Sequence, residues 1–90
     1  MTVYVYILRS HNGHYYIGIT GTHPSNRLAK HNKGDVYSTK ADKPWKIIYT
    51  ELFDSYKNAR FREKQIKSWH GSNAFKKLVA GAAGSSNGRT

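Results

Sequence analysis

Cysteine is absent from the 90 residues, which excludes disulfide frameworks, thiolate zinc sites and a cysteine nucleophile. Acidic side chains are scarce: five Asp and Glu stand against fifteen Lys and Arg, a formal charge of +10. That imbalance suits a polyanionic partner such as nucleic acid or an acidic membrane face, although charge also serves plain solubility. No apolar run approaches the roughly 18 residues that span a bilayer. The start, Met1-Thr2-Val3-Tyr4, lacks the basic segment and long apolar stretch of a secretory leader. A cytoplasmic protein with no membrane partner is expected. So short a chain supports one domain with a single modest core.

What is present is a series of short patterned elements. Val3, Val5 and Ile7 alternate with Tyr4, Tyr6 and Leu8, and a second β-rich run, Tyr15-Tyr16-Ile17-Gly18-Ile19, follows Asn12-Gly13. That dipeptide predicts a tight two-residue turn between antiparallel strands. With the turn centred there, Tyr6 lies nearer to Ile19 than to Tyr16, and the two phenols are diagonal neighbours at best. Pro24 suits a first helical turn and Gly34 a helix end, predicting a helix over 24–33. Residues 34–44 carry no periodicity and read as a loop, 45–53 as a third strand. Asp54 or Ser55 can cap a helix over 56–70, and a last short helix spans 74–79. The domain is expected over 1–80 and a flexible tail over 81–90, since that segment has nothing to bury. The order β-β-α-β-α-α predicts an α+β fold: a small three-stranded antiparallel sheet flanked by helices.

On a wheel of about 100° per residue, Glu63 falls within the stripe made by Ala59, Ile66 and His70. A carboxylate there needs a partner, because burying an unpaired charge is costly. A buried ion pair with an arginine is one account, and a carboxylate edged by cations, as in a metal-dependent phosphodiesterase, is another. Lys57, Arg60, Lys64 and Lys67 form an adjoining basic ridge, either a solvated face or a set of phosphate contacts. Arg27 and His31 are four apart and share a helix face. The guanidinium suits a phosphate, and the imidazole can relay a proton near neutral pH. The tyrosines put hydroxyls on both faces of the hairpin, and packing explains part of their number.

Taken together, Val5-Tyr6-Ile7-Leu8, Tyr16-Ile17-Gly18, Arg27, His31 and Glu63 resemble the GIY-YIG nuclease domain, without its usual leading Gly-Ile. "GIT" at 18–20, "RLAKHN" at 27–32, "KPWKIIY" at 43–49 and "ARFREKQIK" at 59–67 look like the small stand-alone bacterial members, and the resemblance spans about residues 3–79. It implies a divalent ion, Mg²⁺ or Mn²⁺, and hydrolysis of DNA phosphodiester bonds. Catalytic roles fall on Tyr6, Tyr16, Arg27, His31 and Glu63, with Glu63 the sole protein ligand of the metal, as suits an ion that keeps several waters.

Arg27 would hold the scissile phosphate, and His31 would bond to a tyrosine hydroxyl or the attacking water. Tyr6 would be the base or orient the water, and Tyr16 would bond to the phosphate or the water; the two roles are exchangeable. A nearby metal and Arg27 would favour the Tyr6 phenolate. Gly18 would let backbone approach the metal or substrate, unless it marks a strand bulge. Ser38, Thr39, Lys40 and Lys43 in the polar loop, with the ridge, would touch the DNA backbone.

The expected partner is double-stranded or branched DNA, cut with low sequence selectivity or by shape, in repair or recombination, by a nucleoid-associated monomer. Two alternatives stand beside this. One is a catalytically weak nucleic-acid-binding module on the same fold. The other is a basic RNA-associated protein that stacks bases on exposed tyrosines.

Overall fold

A computed structural model describes residues 2–36 and 39–84. Its middle strand is β1 (Val3–Ser10), paired antiparallel with β2 (Tyr15–Thr20) on one side and β3 (Trp45–Phe53) on the other. Helix α1 (Pro24–Lys33) follows the hairpin, and α2 (Tyr56–Ser68) and α3 (Asn73–Gly84) follow β3. The α+β architecture is the one the pattern of elements predicts.

Strand β1 is apolar at successive positions because both faces of the sheet are covered. Val3, Val5 and Ile7 pack with Ile17, with Ala59 and Ile66 of α2, and with Phe75 of α3. The alternate residues Tyr6 and Leu8 pack with Trp45, Tyr16, Ile47 and Leu28 of α1. The period of two along β1 therefore sorts side chains between an aliphatic core and an aromatic one.

Local chemistry marks the helix ends. Pro24 opens α1, the His23 ring accepts from the Ser25 amide, and Gly34 closes it in the left-handed region at φ 87°. Ser55, rather than Asp54, caps α2 by accepting from the Asn58 amide at 3.2 Å. Helix α2 stops at Ser68, so His70 lies beyond it. Helix α3 begins at Asn73 and runs to Gly84, five residues past the predicted end, because Ala80, Ala82 and Ala83 are strong helix formers. Residues 85–90 of the expected tail lie outside the described residues.

Two other expectations are corrected. The hairpin loop has three residues: Ser10 and His14 close it, and Gly13 takes φ 86° after a turn from the Ser10 carbonyl to the Gly13 amide. This is a turn followed by a left-handed residue, not a two-residue turn. Register shifts by one, and Tyr6 pairs with Gly18, not Ile19. In addition, the stretch 34–44 contains a 3₁₀ turn at Lys40–Asp42. The turn is tied to the hairpin by Asp42, which accepts from Asn12 at 2.9 Å and bonds the His14 ring at 2.8 Å.

Candidate active site

With Tyr6 opposite Gly18, Tyr16 stands two residues along the neighbouring strand on the same face, as a diagonal neighbour. The two rings have centroids 6.2 Å apart. A Cβ at Gly18 would lie 2.7 Å from Tyr6 Oη and 3.1 Å from Tyr16 Cε2. The space a side chain at Gly18 would fill is therefore occupied by these phenols, and the glycine lets them pack against the strand.

Helix α1 aims two side chains at the pair. The Arg27 guanidinium hydrogen-bonds the Tyr6 hydroxyl, which raises the pKa of Arg27. Its Nε is buried and has no partner among the described residues. Burial pushes the Tyr6 hydroxyl above its usual value of 10.0, against the opposing hydrogen bond from Arg27, with Tyr16 and Glu63 adding to the rise. Tyr6 is thus a neutral phenol near pH 7, and Arg27 alone does not bring out the expected phenolate.

His31, one turn after Arg27, is fully buried. Its ring centroid lies 4.6 Å from that of Tyr16 and 6.4 Å from that of Tyr6. Nδ1 is 2.7 Å from Thr39 Oγ1, and that hydroxyl donates onward to the Val36 carbonyl at 3.3 Å. Thr39 therefore accepts from His31 Nδ1–H, which leaves Nε2 as a lone-pair acceptor. Nε2 is buried and has no partner among the described residues. Burial, then the charge of Arg27, lowers the His31 pKa below 6.5, so the neutral ring prevails near pH 7.

Thr39, expected at the DNA backbone, instead points inward and holds the His31 ring. It is buried because Trp45 Nε1 donates to its carbonyl at 2.9 Å. Asn32 in turn clamps the Trp45 backbone, donating to its carbonyl and accepting from its amide. No periodicity in 34–44 marks Thr39; the contact exists only once α1 and β3 are adjacent. Ser38 lies outside the described residues.

Glu63 is buried with Ala59 and Ile66 on α2, and its charge is felt at Tyr6. Its Oε2 lies 3.2 Å from Lys67 Nζ, so the partner is a lysine of the same helix, not an arginine. Lys67, at the edge of the ridge, makes this pair, as the Glu-to-Lys spacing of four signals, and its side chain stays 55% exposed. Lys67 and Tyr16 line one cleft, together with Tyr15, Ile17 and His70. Lys57, Arg60 and Lys64 are exposed along α2, and Lys40 within the 3₁₀ turn and Lys43 just after it are exposed.

Four of the five acids are paired: Glu63 with Lys67, Asp35 with Lys33, Asp42 with His14, and Glu51 with Arg62. Among the described residues no three His, Asp or Glu gather as metal ligands. The donors at the site are the hard oxygens of Glu63, Tyr6 and Tyr16. A nearly buried carboxylate with one neighbouring ammonium fits a small divalent ion that draws its other oxygens from water and substrate.

The GIY-YIG catalytic domain matches residues 2–77. A UPF0213 protein of Halobacterium salinarum is 40% identical over 65 residues, covering 71% of this chain and 83% of its own length. A UPF0213 protein of Staphylococcus saprophyticus is 32% identical over 79 residues, covering 87% and 95%. The solution NMR structure of a UPF0213 protein from Bacillus halodurans superposes with a TM-score of 0.51 at 32% identity, covering 89% of this chain and 83% of that one. Matched over most of its length, this chain belongs to the GIY-YIG family, a nuclease superfamily whose members generally depend on a divalent metal.

Proposed function

We propose that this protein is a divalent-metal-dependent endonuclease that hydrolyses phosphodiester bonds in DNA, using Tyr6, Tyr16, Arg27, His31 and Glu63. The observation that carries the reading is a pair of buried atoms of opposite kind on one helix face that have no partner among the described residues. Arg27 Nε is a donor and His31 Nε2 an acceptor. Such groups are rare in native interiors. A phosphate oxygen satisfies the first, and the attacking water satisfies the second.

In this reading Arg27 holds the scissile phosphate and stabilises the charge that grows on it. His31 Nε2 accepts a hydrogen bond from the attacking water or from a tyrosine hydroxyl, with its tautomer held by Thr39. Tyr6 takes the water proton or orients the water, and its burial supports orientation. Tyr16, beside both, bonds to the phosphate or the water. Glu63 would hold the Mg²⁺ or Mn²⁺ ion, which would supply Lewis-acid stabilisation of the phosphate oxygens.

The surplus of cations supports a nucleic-acid substrate. Lys57, Arg60, Lys64, Lys40 and Lys43, all exposed, would touch the phosphate backbone without reading bases. DNA that is double-stranded or branched, cut with little sequence selectivity by a monomer in the cytoplasm, fits this distribution, and repair or recombination is its natural setting. Purified protein is incubated with supercoiled plasmid and with a four-way junction, in Mg²⁺, Mn²⁺ or chelator, beside Glu63→Ala. Metal-dependent cutting that the variant lacks supports the proposal. Binding without cutting in every condition replaces it with a binding module.

A further inference from the structure

Helix α2 carries a second surface that the cleavage chemistry does not use. Phe61 is 72% exposed and Tyr56 46% exposed. With Lys57, Arg60 and Lys64 they line a shallow groove along the helix. Neither aromatic is needed to complete a core, and α2 has its apolar stripe elsewhere, at Ala59 and Ile66. None of the three cations forms an ion pair among the described residues. The acid on α2, Glu63, is held by Lys67, and the remaining arginine, Arg62, is held by Glu51.

The strip is continuous with the site. At about 100° per residue, Arg60 lies roughly 60° beyond Glu63, Lys64 about 40° further, and Phe61 about 60° beyond that. A strand leaving the neighbourhood of Glu63 would thus meet two cations and then an aromatic face.

We infer that the Tyr56–Lys64 face of α2 binds an unpaired nucleic-acid strand flanking the cleaved bond, with phosphates on Lys57, Arg60 and Lys64 and a base stacked on Phe61. The charge selects a polyanion. The exposed ring selects one whose base faces are free, because an intact duplex hides them and offers only phosphates and groove edges. The inference rests on the nuclease reading and narrows its substrate to forks, flaps or overhangs.

The test is fluorescence anisotropy in chelator, where nothing is cut, with a blunt duplex and with a forked duplex of the same paired sequence. Phe61→Ala is expected to weaken binding of the fork roughly 5- to 150-fold, the usual range for one stacked base, and to change the blunt duplex less than twofold. Phe61→Trp should retain fork binding, and Lys64→Ala should weaken both DNAs alike. Equal losses on both DNAs, or none on either, overturn the inference and leave the nuclease reading standing; the second result points instead to an acidic protein on this face. Failure of the unaltered protein to bind either DNA contradicts both.

Discussion

His31 Nδ1 lies 2.7 Å from Thr39 Oγ1, and through this contact a threonine from a patternless stretch holds the tautomer of a buried imidazole whose ring centre is 4.6 Å from that of Tyr16. Thr39→Val removes the acceptor and leaves a buried N–H unsatisfied, at a cost of about 1–3 kcal/mol. Cleavage is expected to fall about 10- to 100-fold, the usual cost of losing a group that orients a functional imidazole. Thr39→Ser should restore most of it. A purely structural role would leave the pH profile unchanged; loss of the fixed tautomer should move its acid limb.

The same imidazole gives stability a pH dependence. Burial and Arg27 hold the folded pKa of His31 below 6.5, while Tyr6, Tyr16 and Thr39 around it bring no compensating negative charge. The folded protein therefore binds fewer protons than the unfolded chain between the two values. Stability contributed by neutral His31 is full above pH 6.5 and declines as pH falls through the folded value. Thermal unfolding between pH 7 and pH 5 should show this decline, and His31→Gln should flatten it.

Gly18→Ala tests whether the phenols are held by close packing. The new Cβ would sit 2.7 Å from Tyr6 Oη, and a fully buried ring cannot swing away freely. Overpacking of this kind costs about 1–3 kcal/mol. A displacement of about 1 Å at the reacting groups lowers cleavage on the order of 100-fold. The expected result is a folded protein with a moderately lower Tm and a much lower single-turnover rate.

Arg62 ties α2 to β3, and so fixes the helix that presents Glu63. Its Nε and Nη2 donate to the two oxygens of Glu51 at 2.8 and 3.1 Å, and its guanidinium lies 5.2 Å from the Trp69 ring centre. Tyr49 donates to the same carboxylate. Arg62→Lys keeps the charge but loses the fork. A cost of about 1–2 kcal/mol is expected for this partly exposed pair, seen as a Tm lower by roughly 4–16 °C in a domain of this size.

Much of this protein is legible in its sequence because periodicity and capping are local. The alternation in β1, the proline and glycine bounding α1, and Glu63 in an apolar stripe each need only neighbouring residues to be read. The rest depends on contacts that a pattern of residue types does not display. Thr39 is buried by Trp45 and His31, which approach it from β3 and α1. The three-residue loop depends on the Ser10–His14 closure, which Asn12-Gly13 alone does not specify. Lys67 falls in the basic ridge by direction, and its pairing with Glu63 one helical turn away is a local contact that the spacing of four signals.

The central claim, that Glu63 and the Tyr6, Tyr16, Arg27, His31 cluster form one metal-dependent cleavage site, is tested most directly by single-turnover cleavage of a labelled DNA fork across a Mn²⁺ titration, comparing the protein with Glu63→Gln. The site predicts a rate that rises to saturation with Mn²⁺ and falls at least about 1000-fold in Glu63→Gln, with the variant still folded and still binding DNA in chelator. Equal rates in the two proteins, or a rate indifferent to Mn²⁺ and chelator, would contradict it.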